Sequence, residues 1–263
     1  MTSTMPHPLH VDDVDVEFYR DNGYFIYQHP LFAEEKFGRL KAFFEALLAD
    51  LPEDKRPEAM DVPHFAHAEL FEWLLADEVL DFVEPFIGPD IILWSSHFIC
   101  KPPGDGRRVP WHEDSAYWGE RLSKHEVLTV WLAIDDSTVE NGCMRVVSGT
   151  HNHGFSDYEA VDDPDKHVFG REIVSEQVDE SRIVDLEVGQ GQCHIHHSKM
   201  VHGSNPNSSN KRRCGYTMRY MPASVKMVPD PQRSTHAIYL ARGRDLAGNE
   251  YGDPTQQFVE GIR

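Results

Sequence analysis

Cysteine is scarce in this chain. Its four cysteines, Cys100, Cys143, Cys193 and Cys214, are scattered through 263 residues and form no Cys-x-x-Cys pair. Such scatter fits reduced thiols better than a disulfide framework. Long apolar runs are also missing: none approaches the ~18 residues that a membrane span needs. The N-terminal stretch MTSTMPHPLHVDDVDVEF lacks a basic start followed by an apolar core, so no signal peptide is expected. Together these absences predict a soluble, cytoplasmic protein. Positive charge is in short supply, with 25 Lys and Arg against 44 Asp and Glu, a net charge of -19. An acidic surface repels phosphate backbones and anionic lipid, so neither nucleic acid nor a membrane is the expected partner. A locally basic pocket inside an acidic shell remains compatible with that balance. No internal repeat or low-complexity linker is present. Gly104 and Gly106 are not followed by the Gly-Lys-Ser/Thr of a P-loop, and no serine sits in a nucleophile elbow.

What is present is a chain of ordinary globular composition, 40% hydrophobic and 26% charged, long enough to bury a sizeable core. The expected organisation is one domain: a loose tail over 1–12, a helical front end over 13–90, a β-rich core over 91–222 and a C-terminal extension over 223–263. From Val14 a short helix leads through a turn at Asn22-Gly23 into a strand over Tyr24–Tyr27. Residues 33–50 place Phe37, Leu40, Phe43, Phe44 and Leu47 at helical spacing, and a second helical stretch covers roughly 67–87, ended by Gly88-Pro89. Residues 53–66 read as a loop. Beyond residue 90 the texture becomes short β-rich runs: Ile91–Cys100, Val109–Trp118, Val127–Ile134, Cys143–Val147, Arg182–Val188, Gln192–His197 and Cys214–Pro222. Turn clusters separate them, with Asn141-Gly142 reading as a hairpin turn, as in a sandwich or barrel. Residues 152–180 are polar and too long for a simple turn, a length often found in binding loops or lids.

The chemistry concentrates at Trp111-His112-Glu113-Asp114. Alternate residues of a strand share a face, so His112 and Asp114 would point together and Glu113 away. A second imidazole, His202 of Val201-His202-Gly203-Ser204, would complete a two-histidine, one-carboxylate triad, the set that holds Fe(II) on one face and leaves other positions open. His194, His196 and His197 crowd the same segment, and composition alone does not choose among them. Arg213 carries a guanidinium fork that matches a carboxylate, and Ser204 shares a strand face with His202. Tyr117 and Trp118 are balanced between cavity wall and simple packing. Arg233, Arg242 and Arg244 read better as a solvated edge than as contacts to an anionic substrate.

In combination, HFICKPPG (97–104), WHEDSAYW (111–118), VWLAIDDS (130–137), ENGCMRVVSGTH (140–151), VHGS (201–204) and RRCGYTMRYMP (212–222) resemble the phytanoyl-CoA dioxygenase family of Fe(II)- and 2-oxoglutarate-dependent oxygenases. The likeness extends over roughly 14–225. It implies a mainly β fold with N-terminal helices, a double-stranded β-helix of the jelly-roll, cupin-like type. It also implies Fe(II) held by His112, Asp114 and His202, and 2-oxoglutarate gripped by Arg213 with Ser204 beside it. Trp131 and His97 would be further co-substrate contacts. The implied reaction consumes O₂ and 2-oxoglutarate, releases succinate and CO₂, and hydroxylates a small-molecule substrate. Related halogenases have a small residue in place of Asp114, so the carboxylate argues for hydroxylation. Two departures stand out. Glu113 replaces a frequent glutamine, and a lysine that some members direct at the co-substrate has no counterpart, Met60 lying nearest to its place. Two other readings stay open: a cupin-like metalloprotein acting without 2-oxoglutarate, and a non-catalytic ligand-binding or sensing barrel. Neither the substrate nor an oligomeric state is legible.

Overall fold

The computed structural model describes residues 11–230 and 236–258, so most of the expected loose tail, and Arg233, lie outside the described residues. Helix α1 (Asp13–Asn22) starts at a reciprocal cap between Asp12 and Asp15 and stops at Gly23, whose left-handed φ of 79° turns the chain into β1 (Tyr24–Tyr27). Helix α2 (Glu34–Ala49) follows as its spacing predicts.

The expected loop over 53–66 contains a short strand, β2 (Met60–Asp61), between two single 3₁₀ turns. The second helical stretch is divided: α3 (Phe71–Leu74) ends at Leu75, Ala76 is extended, and α4 (Asp77–Ile87) begins afresh. Leu74, Val79, Phe82 and Val83 are all buried. The break therefore re-aims the apolar face rather than interrupting it.

Strands β3 (Ile91–Lys101) and β4 (Val109–His112) come next, then the short helix α5 (Asp114–Trp118). After these run β5 (Leu128–Ala133), β6 (Met144–Val147), β7 (Tyr158–Ala160), β8 (Arg171–Ile173) and β9 (Ile183–Leu186). The series closes with β10 (Cys193–His197), β11 (His202–Ser204), β12 (Arg213–Pro222) and β13 (Tyr239–Arg242).

Every pairing between these strands is antiparallel. One sheet runs β1-β10-β5-β12-β3-β13 with β2 added on β3; a second runs β4-β11-β6-β9; β7 and β8 form a separate hairpin inside the 152–180 segment. Asn141-Gly142 is not a hairpin turn. Val139–Asn141 is a 3₁₀ turn closed by left-handed Gly142, and it carries the chain from β5 in one sheet to β6 in the other.

The larger sheet explains why its strands read as near-continuous apolar runs. On β12, Cys214, Tyr216, Met218 and Tyr220 join the core shared with the helices, together with Phe98 and Cys100 of β3 and Val130 and Leu132 of β5. The alternating residues Arg213, Thr217 and Arg219, with His97 and Ile99, face a cavity instead. Both faces are buried, but only one is oily. Among the described residues no helix is long and apolar enough to cross a membrane.

Candidate active site

A cavity of about 200 Å³ lies between the two sheets. The larger sheet contributes His97, Trp131, His196, Arg213, Thr217 and Arg219; the smaller contributes Val109, His112, Met144, His202 and Ser204. Among the described residues, His112, Asp114 and His202 form the one cluster suited to a metal ion, each offering a ligand atom within 4.8 Å of the others.

The route to that cluster differs from the expected one in a single respect. His112 and Asp114 do not share a strand: β4 ends at His112, Glu113 is extended, and Asp114 opens α5. The turn brings the carboxylate back beneath the imidazole, 3.7 Å from His112 Nε2 and 3.9 Å from His202 Nε2. His202 is the cross-strand partner of His112 on the neighbouring strand. Glu113 points away, as expected, yet it is buried. Its carboxylate accepts from the Ser156 hydroxyl at 3.0 Å and the Tyr158 hydroxyl at 3.1 Å, tying α5 to the 152–180 segment.

The protonation pattern suits a divalent cation. His112 Nδ1–H donates to the Pro110 carbonyl at 2.8 Å and His202 Nδ1–H to the Met200 carbonyl at 2.9 Å. Each bond fixes the tautomer and leaves the Nε2 lone pair toward Asp114. Burial pushes His202 down to about 3, which keeps it neutral. Burial alone would raise the Asp114 carboxyl, but the Arg219 guanidinium beside it prevails, and the carboxyl is held well below the usual carboxylate range. Arg219 Nε donates to Asp114 Oδ2 at 3.3 Å, leaving Oδ1 toward the histidines. The Nε2–Oδ1 separations are too long for hydrogen bonds, so the two imidazoles and the carboxylate would be available together to hold a metal. The donor set therefore suits a divalent metal.

Arg213 is the second notable charge. It is 2% exposed, and its guanidinium donates to the Gly142 carbonyl at 2.8 and 3.1 Å and to Ser204 Oγ at 3.3 Å. It lies over the Trp131 ring at 5.3 Å. Among the described residues no carboxylate pairs with it, and burial lowers it to about 10. A buried cation without a counter-ion is costly unless a ligand supplies one. Trp131 stacks on His194 with ring planes 7° apart, and its indole occupies the space where a Cβ on Gly215 would stand. Gly215→Ala should cost about 1–3 kcal/mol of stability through overpacking, read as a lowered denaturation midpoint. His97 lines the cavity, with Nε2 donating to the Glu58 carbonyl at 3.2 Å. Met60 lies on β2 opposite Phe98 and packs against the helix-side core.

A model of the phytanoyl-CoA dioxygenase (PhyH) family matches residues 19–215, about three-quarters of the chain. The chain belongs to that family. The double-stranded β-helix described above is the fold of its structural neighbours. The chain is 28% identical over 164 residues to a probable alpha-ketoglutarate-dependent hypophosphite dioxygenase of Stutzerimonas stutzeri, a match covering 62% of this chain and 56% of that protein. The chain thus spans little more than half of that relative. It is 27% identical over 265 residues to the peroxisomal phytanoyl-CoA dioxygenase of Mus musculus, covering 90% of this chain and 75% of that one. Among solved structures, the non-heme monooxygenase ThoJ superposes with a TM-score of 0.70 at 26% identity, covering 92% of this chain and 90% of ThoJ.

Several residues in and around the cavity escape a reading of the sequence. Arg219 lies six residues beyond Arg213 on β12, an even spacing that puts both on one face. Lys101 lies four beyond His97 on β3; it is fully buried, donates to the Asn205 carbonyl, and is held well below the lysine range by burial and then by Arg213. Even spacing along a strand was the available signal for both. Glu58 and Phe169 carry no such signal, because each reaches the cavity from an irregular segment. Tyr117 and Trp118 stand behind the wall: Tyr117 against His112 and Phe169, Trp118 against Trp94. Arg242 is an anchored edge residue, paired with Asp77, Asp81 and Glu84.

Proposed function

We propose that this protein is an Fe(II)- and 2-oxoglutarate-dependent dioxygenase that hydroxylates a small-molecule substrate and releases succinate and CO₂. The observation that carries the reading is Arg213: a buried guanidinium with which no carboxylate of the described residues forms an ion pair, in the same cavity as a triad whose donors suit a metal.

His112, Asp114 and His202 would hold the iron, which when bound supplies the redox chemistry that consumes O₂ and 2-oxoglutarate. The chain's own contribution is positioning. Pro110 and Met200 hold the imidazole tautomers, and Arg219 holds one Asp114 oxygen so that the other stays directed inward. Ser204 is two residues, roughly 7 Å, along the strand from His202. Arg213 and Ser204 thus lie where the far carboxylate of a short dicarboxylate, anchored at the triad by its other end, would arrive. Trp131 and His97 flank that path. Ile99, Val109, Met144, Val168 and Phe169 give the cavity apolar walls that keep water from the reacting carbon. The overall reaction balances with one O atom of O₂ in the alcohol and the other in succinate.

The reading is tested by screening a metabolite library for compounds that stimulate succinate release, then running the best under ¹⁸O₂. Label in a new hydroxyl supports hydroxylation. Turnover with no oxygen added to the compound would contradict it.

A further inference from the structure

The roof of the cavity is built from the segment between β7 and β8. Val168 and Phe169 line the cavity, and Phe169 meets the His112 ring edge-on at 4.9 Å. Two residues later, Arg171 holds its guanidinium 4.7 Å over the Tyr117 ring and 4.8 Å over the Tyr158 ring. Tyr117 in turn lies 5.9 Å from the His112 ring. Arg171 is thus one aromatic ring removed from the triad.

Among the described residues no carboxylate forms an ion pair with Arg171, although acids surround it in sequence. The nearby carboxylates are engaged elsewhere: Glu172 with Arg108 at 2.7 Å, and Glu113 with Ser156 and Tyr158. Arg171 itself is exposed, two residues along the chain from the cavity-lining Phe169. Stacking on aromatic rings occupies the flat faces of a guanidinium; Arg171 also hydrogen-bonds the Tyr117 side chain, and its remaining N–H donors are left to meet an oxyanion.

We propose that Arg171, clamped by Tyr117 and Tyr158, is the recognition point for an anionic group, a carboxylate or a phosphorus or sulfur oxyanion, on the substrate of this cavity. The proposal rests on the oxygenase reading for the word substrate, but the anion site stands on its own geometry. The apolar part of such a molecule would lie along Phe169 and Val168, with its reacting carbon toward the triad. The acidic shell repels anions in general, so a local cation at the mouth would also separate charged substrates from neutral ones of the same shape.

The test is calorimetric titration of the full chain, with Mn(II) and 2-oxoglutarate present, with benzenesulfonate and with its uncharged isostere benzenesulfonamide. The wild type should prefer the sulfonate by roughly tenfold or more, the effect of a charge-assisted hydrogen bond. Arg171→Met should abolish the preference, and Arg171→Lys should keep part of it. No preference in the wild type, or one that survives in Arg171→Met, would overturn the proposal. A lowered melting temperature without a change in preference would mean that Arg171 only staples the two tyrosines, and would overturn it equally. Binding of 2-oxoglutarate itself is titrated separately. Its failure beside an Arg171-dependent sulfonate preference would sink the oxygenase reading and leave the anion site; the converse would do the reverse.

Discussion

Asp114→Ala should remove 2-oxoglutarate turnover by a factor of about 10³ or more, equivalent to at least ~4 kcal/mol of barrier. Two effects act together. The triad loses its only anionic donor, so affinity for a divalent ion collapses. Arg219, 9% exposed and hydrogen-bonded to Asp114 Oδ2, is left as a buried charge without its partner. Breaking a buried pair from one side costs about 3–5 kcal/mol, so the variant should also melt at a lower temperature without metal. Asp114→Asn separates the two effects: it keeps the shape and loses the charge, so it should fold better than the alanine variant and turn over as poorly. Near-wild-type turnover in Asp114→Ala would remove this residue from the ligand set.

Arg213→Met should give the opposite pairing of stability and function. The guanidinium is buried, its neighbours are a carbonyl, a hydroxyl and an indole, and the buried Lys101 amine stands across the β3–β12 pairing with its charge disfavoured by burial and by Arg213. Replacing it with an apolar side chain relieves an uncompensated charge, at the expense of the Gly142 carbonyl and the Ser204 hydroxyl left without their donor. The unliganded protein should therefore melt within a few degrees of wild type. The affinity for 2-oxoglutarate should fall about 100-fold, the scale of a lost charge-assisted contact of ~3 kcal/mol, and the thermal shift produced by 2-oxoglutarate should vanish. KM for 2-oxoglutarate would rise more than kcat falls, because the distal carboxylate stays bound throughout the reaction. Unchanged KM would favour a metalloprotein acting without 2-oxoglutarate, for which Arg213 has no special role.

The convergence of His112, Asp114, His202 and Arg213 on one cavity was legible because their spacing survives folding. His112 and His202 sit on adjacent strands in register, and Arg213 leads a strand of the facing sheet. The geometry of Asp114 was not legible. Period-two reasoning assumed a continuous strand through Trp118, whereas the chain turns into a helix immediately after the histidine. The outcome was right for a different reason: a turn, rather than a pleat, aims the carboxylate. The inner face of β12 could have been read further, since Arg213, Thr217 and Arg219 alternate with Cys214, Tyr216 and Met218. That alternation is masked because both sets are buried. Glu58 and Phe169 arrive from segments with no regular period, and only tertiary packing brings them to the cavity. The hairpin of β7 and β8 was hidden for the same reason, two three-residue strands being too short to leave a pattern.

The central claim is that one cavity binds a metal through His112, Asp114 and His202 and 2-oxoglutarate through Arg213. It is tested most directly by succinate release from anaerobically purified protein given Fe(II), 2-oxoglutarate and O₂, beside an iron-free control and the Asp114→Ala and Arg213→Met variants. The account predicts iron-dependent succinate, lost in Asp114→Ala and restored toward wild type in Arg213→Met only at high 2-oxoglutarate. No succinate from the wild type, together with no binding of 2-oxoglutarate to its Fe(II) form, would contradict it.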